Sequence, residues 1–151
     1  MLARLERLIP GLWLGLLLCV AGLATPAPFA LLAKADAGRV VGRMLAQEAY
    51  ASLALGVVML VLARLAARHE AEAGRGSQFS AGMALALGTL FCTVAGYFVL
   101  QPVMDLARAG QGALSFGQLH LISTAFYAVK VVLVGLLAWR ASAPITPARV
   151  S

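Results

Sequence analysis

The chain has 151 residues, 62% of them apolar and 12% charged, with a mean hydropathy of +0.90, whereas soluble domains carry roughly 25% charged residues. That composition excludes an ordinary water-soluble domain. Lys and Arg number 12 against 6 Asp and Glu, giving a net charge of +6; the basic residues form no cluster and aromatics are few, so the excess is read as membrane orientation and not as nucleic-acid binding.

A helix crossing a hydrocarbon core of about 30 Å needs about 20 mostly apolar residues, and the charges leave four such intervals. The first runs from Leu8 to Ala33, uncharged between Arg7 and Lys34. The second covers residues 44–64 and contains Glu48; the third covers residues 81–104. The fourth, residues 116–139, is interrupted by Lys130 and closed by Arg140. They predict an all-α, integral membrane four-helix bundle forming a single domain over residues 1–140, with a disordered tail over 141–151 that contains Pro144 and Pro147. No room is left for a soluble catalytic domain. Met1 to Ala24, with Arg4 and Arg7 before a Leu-rich stretch, also has the layout of a cleavable signal peptide, but the apolar run to Ala33 exceeds the 7–15 residues of an h-region. The first span is therefore expected to be retained.

Orientation follows from the basic residues, which are held on the cytoplasmic side. Arg4, Arg7, Arg64, Arg68, Arg75, Arg140 and Arg149 fall on one side, and Lys34, Arg39, Arg43 and Arg108 on the other. This predicts a bacterial cytoplasmic (inner) membrane protein with both termini inside. Trp13 and Trp139 then lie near the inner interface, and Phe29, Tyr50 and Tyr97 towards the outer one.

Helices in lipid associate through small residues that permit close approach. Gly11, Gly15 and Cys19 repeat every four residues on the first span, and Gly88, Cys92 and Gly96 on the third. Each stripe is expected to form a groove that another helix enters. Leu14-Gly15, Cys19 and Val20-Ala21-Gly22 are echoed by Leu87-Gly88, Cys92 and Val94-Ala95-Gly96, each series ending near a proline, Pro26 or Pro102. The pattern is that of two pseudo-repeated helical hairpins related by an axis along the membrane normal. The cysteines take small-residue positions inside lipid, where neither a disulfide nor thiolate metal binding is expected.

Charged side chains inside a span cost about 2.5 to 3.5 kcal/mol on insertion, so Glu48 and Lys130 need an explanation. At 100° per residue His120, Thr124 and Tyr127 share one face of the fourth span, with Ser123 beside them and Lys130 at the fringe, opposite Ile122, Phe126, Val129 and Leu133. This stripe is expected to face the bundle interior. Counting rise from the span ends puts Glu48, Gln101, Asp105 and His120 in one outer polar layer, with Lys130 about 15 Å deeper than His120. No direct Glu48–Lys130 ion pair is expected from that register. The layer offers ligands for a divalent ion but no local spacing motif, and a hydrogen-bonded rim is the simpler reading. His69 and His120 fall on opposite sides, which excludes bis-histidine haem within one chain. No zinc-protease, nucleophile-elbow, phosphate-loop or Rossmann pattern occurs.

Trp13-Leu14-Gly15, Phe29-Ala30-Leu31-Leu32, Gly38-Arg39-Val40-Val41-Gly42-Arg43-Met44-Leu45 and Tyr50 resemble the first hairpin of the transmembrane-protein-205-like family, the bacterial domain of unknown function 4149. Gln101-Pro102-Val103-Met104 is similar to the end of that family's third span, and Leu119-His120-Leu121-Ile122-Ser123 to its His-x-x-Ser element. The chain departs from the family at Leu32-Ala33 and Leu45-Ala46, where members often carry Leu-Pro and Phe-Pro-like pairs. The resemblance covers about residues 11–140 and implies a four-span membrane protein without an established activity, with His120 and Ser123 as positions of functional weight and Pro102 as a structural marker.

The residues thus predict a non-enzymatic accessory or interaction component, with no cofactor and no nucleic acid, whose partners are the lipid bilayer and a second copy or another membrane protein. The alternative is a small oligomeric transporter or channel for metal ions or small molecules, its path formed by His120, Ser123, Thr124, Tyr127 and Lys130 with Glu48 at the mouth.

Overall fold

The computed structural model describes residues 2–74, 77 and 79–143. The disordered tail expected over 141–151 lies outside the described residues from 144 onward, as do Arg75 and Arg149. Every regular element among the described residues is helical, in the order α1 (Leu2–Cys19), a π-helical stretch (Val20–Ala24), α2 (Pro26–Leu31), α3 (Lys34–Glu72), α4 (Ala81–Thr93), a second π-helical stretch (Val94–Val99), α5 (Leu100–Arg108) and α6 (Phe116–Ala141). Four helical rods result, Arg4–Leu31, Lys34–Glu72, Ala81–Arg108 and Phe116–Ala141, each long and apolar enough to cross a membrane.

The second, third and fourth expected spans fall within these rods and the first, expected to reach Ala33, ends its helix at Leu31; the second rod is much longer than 44–64. At 39 residues α3 is about 58 Å long, nearly twice the hydrocarbon thickness. The extra turns are the charged ones. Asp36 and Arg39 pair at i,i+3 (2.5 Å), and Arg68 and Glu72 at i,i+4 (2.8 Å). Such pairs sit comfortably on an exposed helix surface. Charge therefore marks where the apolar run ends, not where the helix ends. Elsewhere the boundary signals are local. Ser80 caps α4 by accepting from the Met83 N–H, and Ser115 with Gln118 forms a reciprocal capping box at α6. Gly74 (φ 71°) and Gly110 (φ 75°) follow α3 and α5 in the left-handed region, where glycine carries no side-chain penalty.

The two π-helical stretches begin at the valines of the two Val-Ala-Gly triplets, Val20 and Val94. Proline supplies no N–H and crowds the carbonyl four residues back, and a widened turn resets the ladder. Just before Pro26, the Thr25 N–H reaches five residues back to the Val20 carbonyl (2.9 Å), which also accepts the Thr25 hydroxyl (2.8 Å). The sequence repeat between spans one and three thus has a local structural counterpart.

The rods form a square. α1 packs on α3 and α6, and α4 on the same two helices, whereas no Cα of α3 comes within 8 Å of α6, nor any of α1 within 8 Å of α4. The apolar core is Trp13, Leu17, Met59, Leu62, Ala86 and Val134. Leu12, Leu23, Leu31 and Leu121 are more than two-thirds exposed. A surface this apolar is an aggregation liability in water and a lipid-facing surface in a bilayer.

The small-residue stripes behave differently from each other. On the third span a Cβ at Gly96 would lie 2.6 Å from Cβ of Phe126, and one at Gly88 3.0 Å from Leu133 Cδ1. Side chains of α6 therefore enter this groove as expected. Gly11 and Gly15 have nothing within 4 Å, and Cys19 is exposed. Among the described residues no helix enters the first groove.

Candidate functional site

Glu48 and Lys130 meet at the centre of the square. Lys130 Nζ donates to Glu48 Oε1 at 2.8 Å and to Oε2 at 3.0 Å, with both residues buried, 4% and 3% exposed. This corrects the register that placed Glu48 in an outer layer away from Lys130. The error lay in starting the second helix at residue 44. Measured from the true helix starts, Lys34 and Phe116, each residue lies 14 positions in, a depth of about 21 Å on both helices. His120 is only four positions into α6, about 6 Å. The pair therefore bridges the α3–α6 diagonal, which no backbone contact spans.

α3 builds its side of the site with an i,i+4 series. Ser52, one turn beyond Glu48, donates its hydroxyl to Glu48 Oε1 and accepts from Trp13 Nε1 at 2.9 Å. One turn further, Gly56 admits Leu90 of α4, to whose Cδ2 a Cβ there would lie 2.7 Å, while the indole stands at ordinary contact, 3.5 Å at Trp13 Cη2. Trp13 is 1% exposed, so it is a core residue and not the interfacial anchor expected. Trp139, at 78% exposed, does face outward. Neither Ser52 nor the inward Trp13 was identified from the sequence. The signal was present as Glu48, Ser52 and Gly56 at successive turns, a polar-then-small stripe that invites a large partner.

α6 supplies the cationic half. Tyr127 lies one turn before Lys130, its ring centroid 4.7 Å from Nζ, so the ring face takes up the part of the ammonium that Glu48 leaves. Its hydroxyl donates to the Leu17 carbonyl of α1 at 2.9 Å. Ser123 donates to the Gly96 carbonyl, inside the second π-helical stretch, at 2.7 Å. Among the described residues no buried side-chain nitrogen or oxygen lacks a partner. The site is a closed network joining α1, α3 and α6, with Ser123 tying α6 to the third span.

The stripe expected along α6 divides. Ser123, Tyr127 and Lys130 face inward, whereas His120 and Thr124 are exposed. Thr124 spends its hydroxyl on the His120 carbonyl of its own helix (2.8 Å), and His120 stacks on Phe116 (5.9 Å). Phe126 and Leu133, expected on the opposite side, are half-buried against the third span. The inward face is centred between the two expected ones because α6 contacts α1 and α4 at once. The outer polar layer does not assemble. Glu48 is at the pair, and Asp105 is paired with Arg108 at 2.5 Å, itself 4.6 Å from the Phe116 ring centroid. Among the described residues no three His, Cys, Asp or Glu side chains come together as metal ligands.

Residues 8–113 match the family described as domain of unknown function (DUF4149). The chain belongs to the DUF4149 family. The match is to that domain and says nothing of the transmembrane-protein-205-like proteins. It includes Trp13, Glu48 and Ser52 and ends before the His120–Ser123 element and Lys130. No curated protein and no solved structure matches the DUF4149 chain.

Proposed function

We propose that this DUF4149 protein is a non-enzymatic accessory or interaction component of a bacterial inner membrane, multi-pass, with both termini cytoplasmic. The observation that carries the reading is the state of its intramembrane charges. Glu48 and Lys130 neutralise each other in a buried network, and Ser123 and Tyr127 bind backbone carbonyls of other spans. These groups are committed to holding helices together. Partners then meet the protein through its outer faces, in a second copy or another membrane protein.

One observation favours a second reading, a small oligomeric transporter or channel for metal ions or small molecules. Ionisable side chains deep in a span commonly mark transport paths, and the pair lies about 21 Å along both helices. Flux into proteoliposomes separates the two. The accessory reading expects wild type, Lys130→Ala and His120→Ala to be indistinguishable from empty liposomes. Wild-type flux abolished by Lys130→Ala would replace it with the transport reading, and turnover of a substrate by the reconstituted protein alone would overturn it.

A further inference from the structure

On the outward side of the α3–α4 contact, Leu60, Val61 and Leu65 of α3 and Met83 and Leu87 of α4 line an open apolar groove of about 410 Å³ that ends on Arg64. Past Arg64 and Leu65 the same helix presents an open polar surface formed by Arg68, Ala71 and Glu72. The change of character occurs at one residue, since the uncharged run of α3 that follows Glu48 ends at Ala63. Val61, Leu65 and Arg68 succeed one another along a single helix face, and from Val61 to Arg68 is about 10 Å of rise.

An apolar slot opening directly onto two guanidinium groups is complementary to a molecule with a hydrocarbon chain and an adjoining anion. Arginine binds phosphate through its planar fork of donors. Arg68 gives its Nε–H to Glu72 at 2.8 Å, which occupies one of the five N–H donors that arginine carries. With Arg64, Arg68 and Glu72 together the rim keeps net positive charge. Basic pockets between spans on the cytoplasmic side recognise anionic lipid headgroups in this way. We propose that the α3–α4 groove binds one acyl chain of an anionic glycerophospholipid, with its phosphate held at Arg64 and Arg68.

Native mass spectrometry of the detergent-purified full chain, titrated with phosphatidylglycerol or with phosphatidylcholine of the same acyl chains, tests the assignment. Wild type is expected to bind phosphatidylglycerol more tightly by on the order of tenfold, from about 1 kcal/mol per basic residue near the headgroup. Arg64→Gln with Arg68→Gln is expected to abolish that preference while leaving phosphatidylcholine binding unchanged. Arg140→Gln, on the diagonally opposite helix, keeps it. Val61→Trp, which fills the groove and leaves both arginines in place, weakens both lipids. Equal binding of the two lipids by wild type, an undiminished preference in the double variant, or an equal loss in Arg140→Gln would each overturn the site.

Discussion

At the residue scale the decisive group is small: Trp13, Ser52, Glu48 and Lys130 are joined by hydrogen bonds in series, and the Tyr127 ring lies over the Lys130 ammonium, five side chains from three helices. Ser52 is its hinge, because it accepts from Trp13 and donates to Glu48. Ser52→Ala leaves the buried indole N–H without an acceptor, and is expected to lower the unfolding free energy by about 1–3 kcal/mol. The loss should shrink when Trp13→Phe is already present, as measured by circular dichroism during unfolding in mixed micelles. His120 and Thr124 make the opposite prediction. Both are exposed, so His120→Ala and Thr124→Ala should each change stability by less than about 0.5 kcal/mol in the same assay. A large loss at either position would contradict the placement of that face. Glu48 and Lys130 were legible as anomalies, because charge inside a span needs a reason. Their partnership was not, since a ten-residue error in one helix start displaces a side chain by about 15 Å.

Elements were the most legible level and also show where charge counting stops working. Apolar intervals located all four rods, because lipid demands long uncharged runs whatever the detailed packing. They underestimated α3, whose outer turns carry paired charges on helical spacing. The small-residue stripes were visible, but not which of them another helix fills, because that depends on which neighbour arrives. The difference is measurable. Gly96→Ala sets a methyl against Cβ of Phe126, an atom fixed to its backbone, and should cost about 1–3 kcal/mol through overpacking. Gly88→Ala meets only the mobile end of Leu133 and should cost less. Gly15→Ala, with open space around it, should be neutral within about 0.5 kcal/mol. Thermal unfolding of the three purified variants in one detergent ranks them, and a Gly15→Ala loss as large as that of Gly96→Ala would mean that the first stripe is packed in the protein as isolated.

Across the whole molecule, a square of four helices has two diagonals with no backbone contact, and one of them is closed by the Glu48–Lys130 pair. A buried ion pair gains little net energy over an apolar contact, because desolvating both charges offsets much of their attraction. Its consequence is specificity: only one register of α3 against α6 brings the two charges together, and any slip leaves both uncompensated in a medium of low dielectric. This explains how a chain with so few interior polar groups defines one packing among helices that are otherwise similarly apolar. The central claim is that the pair is a cohesive device across the diagonal. A double-mutant cycle of Glu48→Gln and Lys130→Met, read as unfolding free energy in mixed micelles, tests it most directly. Each single substitution is predicted to cost about 3–5 kcal/mol by stranding its partner, and the double substitution less than either alone. Small, additive losses would show that the two charges do not hold the bundle together.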